Sequence, residues 1–265
     1  MTVTSVLYAA CTEACTITIY DRAADGRISA RPEPLAVPGG PMWLTTDPEQ
    51  RYLYCPTITA NAIVSFAIGA DGGLTELGQP VPYPAVGDED PSGAPWTGDP
   101  CPCHVSTDKT GRFLFTSFYT AGMITVHAIA SDGSVEPAVL QTIQTTHGCH
   151  SIQTDASNKF VYVPCVAALA TQAGGDPNNL LNGGNRIFQF AFDPANGSLT
   201  PTPSSPLIPV RPLSLSLSLF SLRVSALTAT YVRQPRNQLG PHSRLGSALH
   251  GNRTHRHLVS ARGLR

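Results

Sequence analysis

The sequence contains few charged residues and no long apolar segment. Charged residues are 13% of the 265 positions, and the 24 prolines and 23 glycines agree with an all-β protein. No apolar run approaches the ~20 residues that a membrane-spanning helix needs, so no membrane partner is expected. Residues 1–10 lack the basic start and long apolar core of a signal peptide. A cytoplasmic location is therefore expected.

The C-terminal part of the chain lacks lysine, aspartate and glutamate altogether. Residues 211–265 contain nine arginines and carry a net charge of +9, whereas residues 1–210 carry −10. From Arg211 the sequence alternates Ser and Leu, as a translated CT dinucleotide repeat does. We interpret residues 211–265 as an aberrant basic low-complexity tail and expect it to be largely irregular, although its Ser-Leu stretch could otherwise form an edge strand. Residues 234–265 have the charge of a nucleic-acid-binding arm but no interleaved aromatic residue, so no nucleic acid partner is expected.

Residues 1–210 contain a repeated pattern with two markers that keep the same phase. One marker is a hairpin turn after each β-rich run, at Asp25-Gly26, Asp71-Gly72, Asp132-Gly133 and Asn196-Gly197. The other is an aspartate followed four residues later by a basic residue and a short run of aromatic and aliphatic residues. Its copies are Asp47 before RYLY, Asp108 before RFLF and Asp155 before KFVY. Each repeat predicts four short strands in about forty residues.

Four short strands in each repeat of about 40–45 residues indicate the blades of a β-propeller. Residues 1–210 hold about four such blades. Two repeats carry insertions, at residues 83–101 and 166–184, and the blade topology puts both on one face, where binding or catalysis is expected. Solvated decoration is the alternative. An open arc of four blades would leave its two terminal sheets uncovered, so self-association is expected.

The seven cysteines are an odd number, and without a secretory signal we interpret them as free thiols. Five Cys and His residues of the inner strands form the alternative, a zinc site: Cys101, Cys103, His104, Cys149 and His150. Their CxCH and CH spacings are not a standard ligand pattern, and small apolar cysteines also pack well at crowded inner strands. No metal and no cofactor is therefore expected.

Several phrases of the repeat resemble the lactonase family of seven-bladed propellers, which includes 6-phosphogluconolactonases and carboxy-cis,cis-muconate cyclases. These phrases are PCHVSTDKTGRFLF, GCHSIQTDASNKFVYVP, VHAIASDGSV and NRIFQFAFDPANGSLTP. The resemblance covers residues 3–210 and implies an incomplete all-β propeller of the seven-bladed lactonase type, because seven blades of ~45 residues need over 300 residues. Residues 1–210 are then a partial propeller domain, and 211–265 are the tail. The implied substrate is a small anionic lactone or carboxylate.

The resemblance also implies roles for individual residues. His150 matches the family's catalytic histidine, and as a neutral imidazole it could be a general base in lactone opening or muconate cyclisation. A structural histidine bonded to the backbone of a neighbouring blade is the alternative for His150. His104, His147 and Trp43 are predicted to line the substrate pocket, with His104 more a wall than a base.

The family's substrate-binding arginine and glutamate belong to blades that this chain lacks. Arg112 and Arg186 stand at strand starts that match scaffold positions, so the resemblance does not make them substitutes. Two functions therefore stay open. One is a lactonase or cycloisomerase with impaired activity, and the other is a non-catalytic propeller that acts as a binding scaffold.

Overall fold

The computed structural model of the protein describes residues 3–85, 100–166 and 186–207 and, for its backbone, residues 229–233. Seventeen strands lie in these segments, and they form four antiparallel sheets. None of the described residues belongs to a helix that could cross a membrane. The all-β prediction with about four blades is confirmed.

Three of the sheets share one arrangement, in which four consecutive strands run in chain order from the innermost to the outermost position. The second sheet contains β5 (Thr45–Thr46), β6 (Tyr52–Thr57), β7 (Ala62–Ile68) and β8 (Leu74–Pro82). The third contains β9 (Pro102–Thr107), β10 (Phe113–Phe118), β11 (Met123–Ile129) and β12 (Val135–Gln144). The fourth contains β13 (Gln153–Thr154), β14 (Phe160–Cys165), β15 (Arg186–Asp193) and β16 (Ser198–Pro201).

The first sheet takes its innermost strand from the other end of the chain. It contains β1 (Val3–Cys11), β2 (Thr16–Ala23), β3 (Ile28–Ala30) and β4 (Leu35–Ala36), and β17 (Ala229–Arg233) pairs antiparallel with β1. The tail therefore contributes one five-residue strand, which the prediction of a largely irregular tail did not include. The physical reason is that the open edge of β1 offers unpaired backbone groups, which a β-prone ATYVR segment can satisfy. The rest of the tail lies outside the described residues, and so do most of the two predicted insertions.

The hairpin turns join each sheet to the one before it. Gly133 and Gly197 have positive φ values of 87° and 81°, as the turn requires. A Cβ atom at Gly133 would lie 2.3 Å from the ring of Tyr52, and one at Gly197 would lie 2.5 Å from the ring of Phe113. Each turn thus packs on the second strand of the preceding sheet, and only glycine leaves room for that contact.

Apolar side chains fill the spaces between sheets that are consecutive in the chain. Three clusters form, and their centres include Tyr8 with Leu53, Tyr54 with Leu114, and Phe115 with Phe190. The strands alternate in facing one neighbour or the other: in β10, Leu114 belongs to one cluster and Phe115 to the next. The sheets are therefore stacked face to face in chain order.

The aspartate marker organises the turn between the first two strands of a blade. Asp108 is buried, and its carboxylate accepts hydrogen bonds from the backbone N–H groups of Arg112 and Phe113 at 2.8 and 3.0 Å. It also accepts one from Asn158 Nδ2 of the fourth sheet at 2.9 Å. Burial alone would raise the pKa of Asp108, but hydrogen bonds from Thr110 and Asn158 outweigh that effect and lower it.

We expect Asp108→Ala to lower the free energy of unfolding by about 2–4 kcal/mol, because it leaves buried donors without an acceptor. The folded-state pKa of Asp108 is depressed, so its stabilisation is complete above the ordinary aspartate pKa and is lost as the pH falls through the folded-state value. Urea unfolding at pH 7 and at pH 3 measures both effects. Asp25→Ala, which removes an exposed carboxylate paired with Arg27, is the control and should change little. Equal losses in the two variants would contradict the prediction.

Candidate active site

The predicted site residues lie on three neighbouring segments at the innermost edge of the sheets. His104 is in β9, Trp43 lies two residues before the start of β5, and His147 and His150 lie in the β12–β13 linker, residues 145–152. Strand β9 lies against both β5 and β13. Residues more than a hundred positions apart in the chain, such as Trp43 and His150, therefore lie at the same edge of neighbouring sheets.

The linker is held against the turn between β10 and β11. Thr145 donates hydrogen bonds from N and Oγ1 to the carbonyl oxygen of Gly122, at 2.7 and 2.6 Å. Gly148 N donates to the carbonyl oxygen of Tyr119 at 2.7 Å. The link between two blades and the loop between the second and third strands of a blade thus lie on the same face.

His104 is buried and connects the third sheet to the fourth. The backbone N–H of Ile152 donates to His104 Nδ1 at 3.3 Å, which assigns the neutral tautomer with its proton on Nε2. Nε2 then donates to Ser151 Oγ at 3.4 Å. Burial, with a smaller contribution from His150, lowers the pKa of His104 to about 3. This imidazole is a structural bridge, and both of its nitrogens are engaged, so it is unsuited to act as a base.

Trp43 packs on the ring of His104. The two ring centroids are 4.6 Å apart with a tilt of 43°, and Trp43 remains partly exposed. The second and third sheets therefore meet here through an aromatic contact. Trp43 and His104 are thus in direct contact, and their role as lining of a substrate pocket stays a prediction.

His150 is the exposed histidine of this group. Its backbone N–H donates to the carbonyl oxygen of Pro164 in β14 at 3.0 Å, which fixes the residue to the fourth sheet. Its ring meets the ring of Tyr119 edge to face at 5.7 Å. The surrounding protein desolvates the imidazole in part and lowers the pKa of His150. A neutral, accessible imidazole at neutral pH has the properties of a general base.

His147 is partly buried in the same linker. Its Nδ1 atom hydrogen-bonds to the carbonyl oxygen of Thr120, in the turn that holds the linker. His147 thus shares the linker with His150, but its ring is hydrogen-bonded to the backbone of the third sheet.

Three residues of this region were not predicted as part of the site. Ser151 and Tyr119 contact His104 and His150, and the GCHS phrase and the end of strand β10 are the sequence signals that could have found them. Arg186 is the third. It lies opposite Cys165 at the loop end of the fourth sheet, and its buried Nε atom has no hydrogen-bond partner among the described residues.

The other arginines near the hairpin ends are engaged with nearby groups. Arg31 pairs with Asp21 at 2.9 Å, and Arg51 pairs with Glu49 at 3.0 Å. Arg112, which sequence reasoning grouped with Arg186, packs over the ring of Phe113 at the turn end of β10. Arg112 and Arg186 therefore lie at opposite ends of their sheets, which strand position alone did not reveal.

The cysteine and histidine set considered for zinc does not converge. Within the described segments, no group of three or more His, Cys, Asp or Glu side chains could hold a metal ion. Cys103 instead donates to the carbonyl oxygen of Cys149 at 2.9 Å, and the described cysteines are free thiols. Cys103 and Cys149 are buried, whereas Cys101 is partly exposed.

Comparison with known proteins identifies what this architecture is similar to. A family model described as "Lactonase, 7-bladed beta-propeller" matches residues 5–168. A 6-phosphogluconolactonase of Pectobacterium carotovorum is 27% identical, over 73% of this chain and 59% of its own length. Another, from Pectobacterium atrosepticum, is 32% identical over 61% of this chain and 43% of its own length.

The solved structures show the same fold. The crystal structure of a putative 6-phosphogluconolactonase from Bacteroides uniformis superposes with a TM-score of 0.59 at 16% identity, covering 77% of this chain and 52% of that one. One from Bacteroides fragilis gives a TM-score of 0.54 at 15% identity, covering 77% and 55%. The chain thus spans about half the length of the relatives that it matches.

We expect His104→Asn to reduce the pH dependence of stability between pH 4 and 6.5. The pKa of His104 is lowered to about 3 in the folded protein, so the unfolded chain binds one more proton and stability falls as the pH drops from about 6.5 toward 3. The slope of the unfolding free energy against pH should be lower in the variant than in the wild type by up to about 1.4 kcal/mol per pH unit. His127, also buried and with its pKa lowered to about 4, is present in both proteins and cancels.

Urea unfolding across this pH range makes the measurement. Ser106→Ala is the matched control, because Ser106 Oγ donates to the carbonyl oxygen of Ile152 at 2.6 Å and carries no titrating group. It should lower stability and keep the wild-type slope. A wild-type slope in His104→Asn would show that His104 is not held neutral.

Proposed function

Because the chain belongs to the seven-bladed β-propeller lactonase family, we propose that it is a partial 6-phosphogluconolactonase-like enzyme in which His150 is the general base. The observation that carries the proposal is the exposed His150 imidazole, fixed through its backbone to β14 and packed edge to face against the ring of Tyr119. Its pKa is lowered, which keeps it neutral at neutral pH. The proposed substrate is a small anionic lactone, and the proposed location is the cytoplasm.

The proposed reaction needs one base and no cofactor. His150 takes a proton from a water molecule while the water oxygen adds to the lactone carbonyl carbon. The ring carbon–oxygen bond then breaks, and the leaving alkoxide receives a proton, from the imidazolium of His150 or from solvent. The product is the open-chain hydroxy acid, so atoms and charge balance.

The proposed reaction also needs a cationic side chain that binds the anionic group of the substrate. A guanidinium would hold a phosphate or carboxylate through two parallel hydrogen bonds. The hairpin arginines described above are engaged elsewhere, and Arg186 is the described arginine at the same sheet end as the linker. Since the chain covers about half of its relatives' length, we propose that its activity is much lower than that of a seven-bladed form.

We expect His150→Ala to lower kcat for 6-phosphogluconolactone hydrolysis by about 10²–10⁴-fold in a chain extended to seven blades, since a general base contributes that much. The rate of the parent should rise with pH through a pKa below the ordinary histidine value, because the pKa of His150 is lowered. In His150→Ala, the rate should no longer rise with pH through this pKa. Rates are measured by base titration, with spontaneous hydrolysis subtracted.

The 265-residue chain is assayed beside the extended one and should be about 10²–10³-fold slower, as loss of a preorganised charge contact commonly costs. Ser134→Ala, which removes a hydroxyl bonded to Asp132 in the β11–β12 turn at the opposite end of the third sheet, is the control and should retain most activity. Cyclisation of carboxymuconate is tested in parallel. Unchanged hydrolysis in His150→Ala, or full activity in the short chain, would refute the proposal.

The outer face of the fourth sheet favours the second candidate function, a scaffold that binds another protein surface. Phe160 in β14 is 40% exposed, and Tyr162 and Pro164 on the same side of that strand are partly exposed. In a complete propeller another blade covers such a face. We propose that a second copy of this chain covers it here.

We expect Phe160→Glu to weaken self-association, because a charge would have to be buried in the contact. Sedimentation velocity over a range of protein concentrations gives the distribution of species. Leu140→Glu is the matched control, since Leu140 is 47% exposed on the outermost strand of the third sheet. A monodisperse monomer in the unmodified chain would exclude the proposed contact.

A further inference from the structure

Cys149 and Cys165 form a buried thiol pair that the proposed lactone chemistry does not use. Cys149 is in the β12–β13 linker, one residue before His150, and Cys165 ends β14. Both side chains are fully buried, and their Sγ atoms are 3.0 Å apart. A disulfide bond measures about 2.05 Å, so a movement of about 1 Å would close it.

The backbone geometry around the pair suits a cross-strand bridge. His150 N donates to the carbonyl oxygen of Pro164, and Val166 N donates to that of Gly148. These two bonds flank Cys149 and Cys165 and make them a non-hydrogen-bonded antiparallel pair. Cα atoms in such a pair are about 4.5 Å apart, inside the range of about 4.4–6.8 Å that disulfides span.

The neighbouring groups distinguish the two sulfur atoms. Thr145 Oγ1 lies 2.7 Å from Cys149 Sγ, and burial raises the pKa of Cys149. Burial acts on Cys165 in the same direction, but hydrogen bonding from Cys149 and Thr146, with a smaller contribution from the charge of Arg186, outweighs this and lowers the pKa of Cys165. Cys165 is therefore the first of the two to form a thiolate.

The third nearby cysteine is directed elsewhere. Cys103 in β9 donates its S–H to the carbonyl oxygen of Cys149 at 2.9 Å and also contacts Ser117. It lies on a different sheet and does not share the paired strand positions of Cys149 and Cys165. The geometry selects one pair out of three inner cysteines.

We propose that Cys149 and Cys165 are a redox modification site, at which a small peroxide such as hydrogen peroxide converts the two thiols reversibly into a disulfide. The Cys165 thiolate attacks one peroxide oxygen, the O–O bond breaks, and hydroxide leaves and takes a proton to become water. The sulfenic acid on Cys165 is then attacked by Cys149 sulfur, which loses its proton, and a second water leaves. Two thiols are oxidised and one peroxide is reduced to two waters.

The location gives the disulfide a structural consequence. It would tie the linker covalently to β14 next to His150, where the dithiol form has two backbone hydrogen bonds and the contact between the two thiols. The hydrogen bond from the backbone N–H of His150 to the carbonyl oxygen of Pro164 should then break less often. The inference does not depend on lactone hydrolysis, because the bond and its effect on the linker are measured without substrate.

The test treats the full chain with stoichiometric hydrogen peroxide, blocks remaining thiols under denaturing conditions and maps the peptides by mass spectrometry. We expect two of the seven cysteines to escape blocking, in a peptide that links Cys149 to Cys165, and to be recovered by dithiothreitol. Amide hydrogen exchange at residues 148–150 should slow at least about tenfold after oxidation, the signature of suppressed local opening.

Cys55→Ser is the matched control, because Cys55 is equally buried in β6 and has no thiol partner among the described residues. It should form the same crosslink, and Cys103→Ser should too, whereas Cys165→Ser should not. Overoxidised Cys165 without a crosslink, a crosslink to another cysteine, or unchanged exchange at residues 148–150 would each overturn the proposal. Mapping of the unmodified chain keeps the test valid even if a serine variant fails to fold.

Discussion

Face-to-face burial between consecutive sheets is the interaction on which the rest of this structure depends. No single four-stranded sheet can bury both of its apolar faces, so each blade is stable only against its neighbours. The hairpin glycines make this contact close. At Gly133 and Gly197 the turn of one blade rests on an aromatic ring of the blade before it, and any side chain there would separate the sheets. Each added blade therefore extends the apolar core by one more layer between neighbouring sheets.

The candidate site is formed at the junction between the third and fourth sheets. His104 belongs to one sheet and accepts a hydrogen bond from Ile152 next to the other, while the linker that carries His150 is held by Gly122 and Tyr119 of the first of these sheets. Burial makes His104 a neutral bridge, whereas His150 is exposed and is the histidine that we propose as the base. Two histidines in matching positions of successive blades therefore have different chemistry because their exposure differs.

The exposed face of the last described sheet is a consequence of how a propeller is built. Relatives extend about twice as far as the region that matches here, and a propeller relies on ring closure to cover its terminal blades. In this structure β17 pairs with β1 at the inner edge of the first sheet, while Phe160 remains exposed on the fourth. A short strand from the tail satisfies backbone hydrogen bonds, but it cannot replace a whole apolar face.

The repeat and the four blades followed from the sequence, because turn glycines, capping aspartates and strand alternation are local signals with a fixed period. The choice of His150 came from the family resemblance and stays a proposal. Whether a histidine is buried, which arginine lies at the loop end and which two cysteines meet could not be read from it. Those properties depend on contacts between sheets that are distant in the chain. Cys149 and Cys165 are sixteen residues apart, and only antiparallel pairing across β13 and β14 brings their sulfur atoms to 3.0 Å.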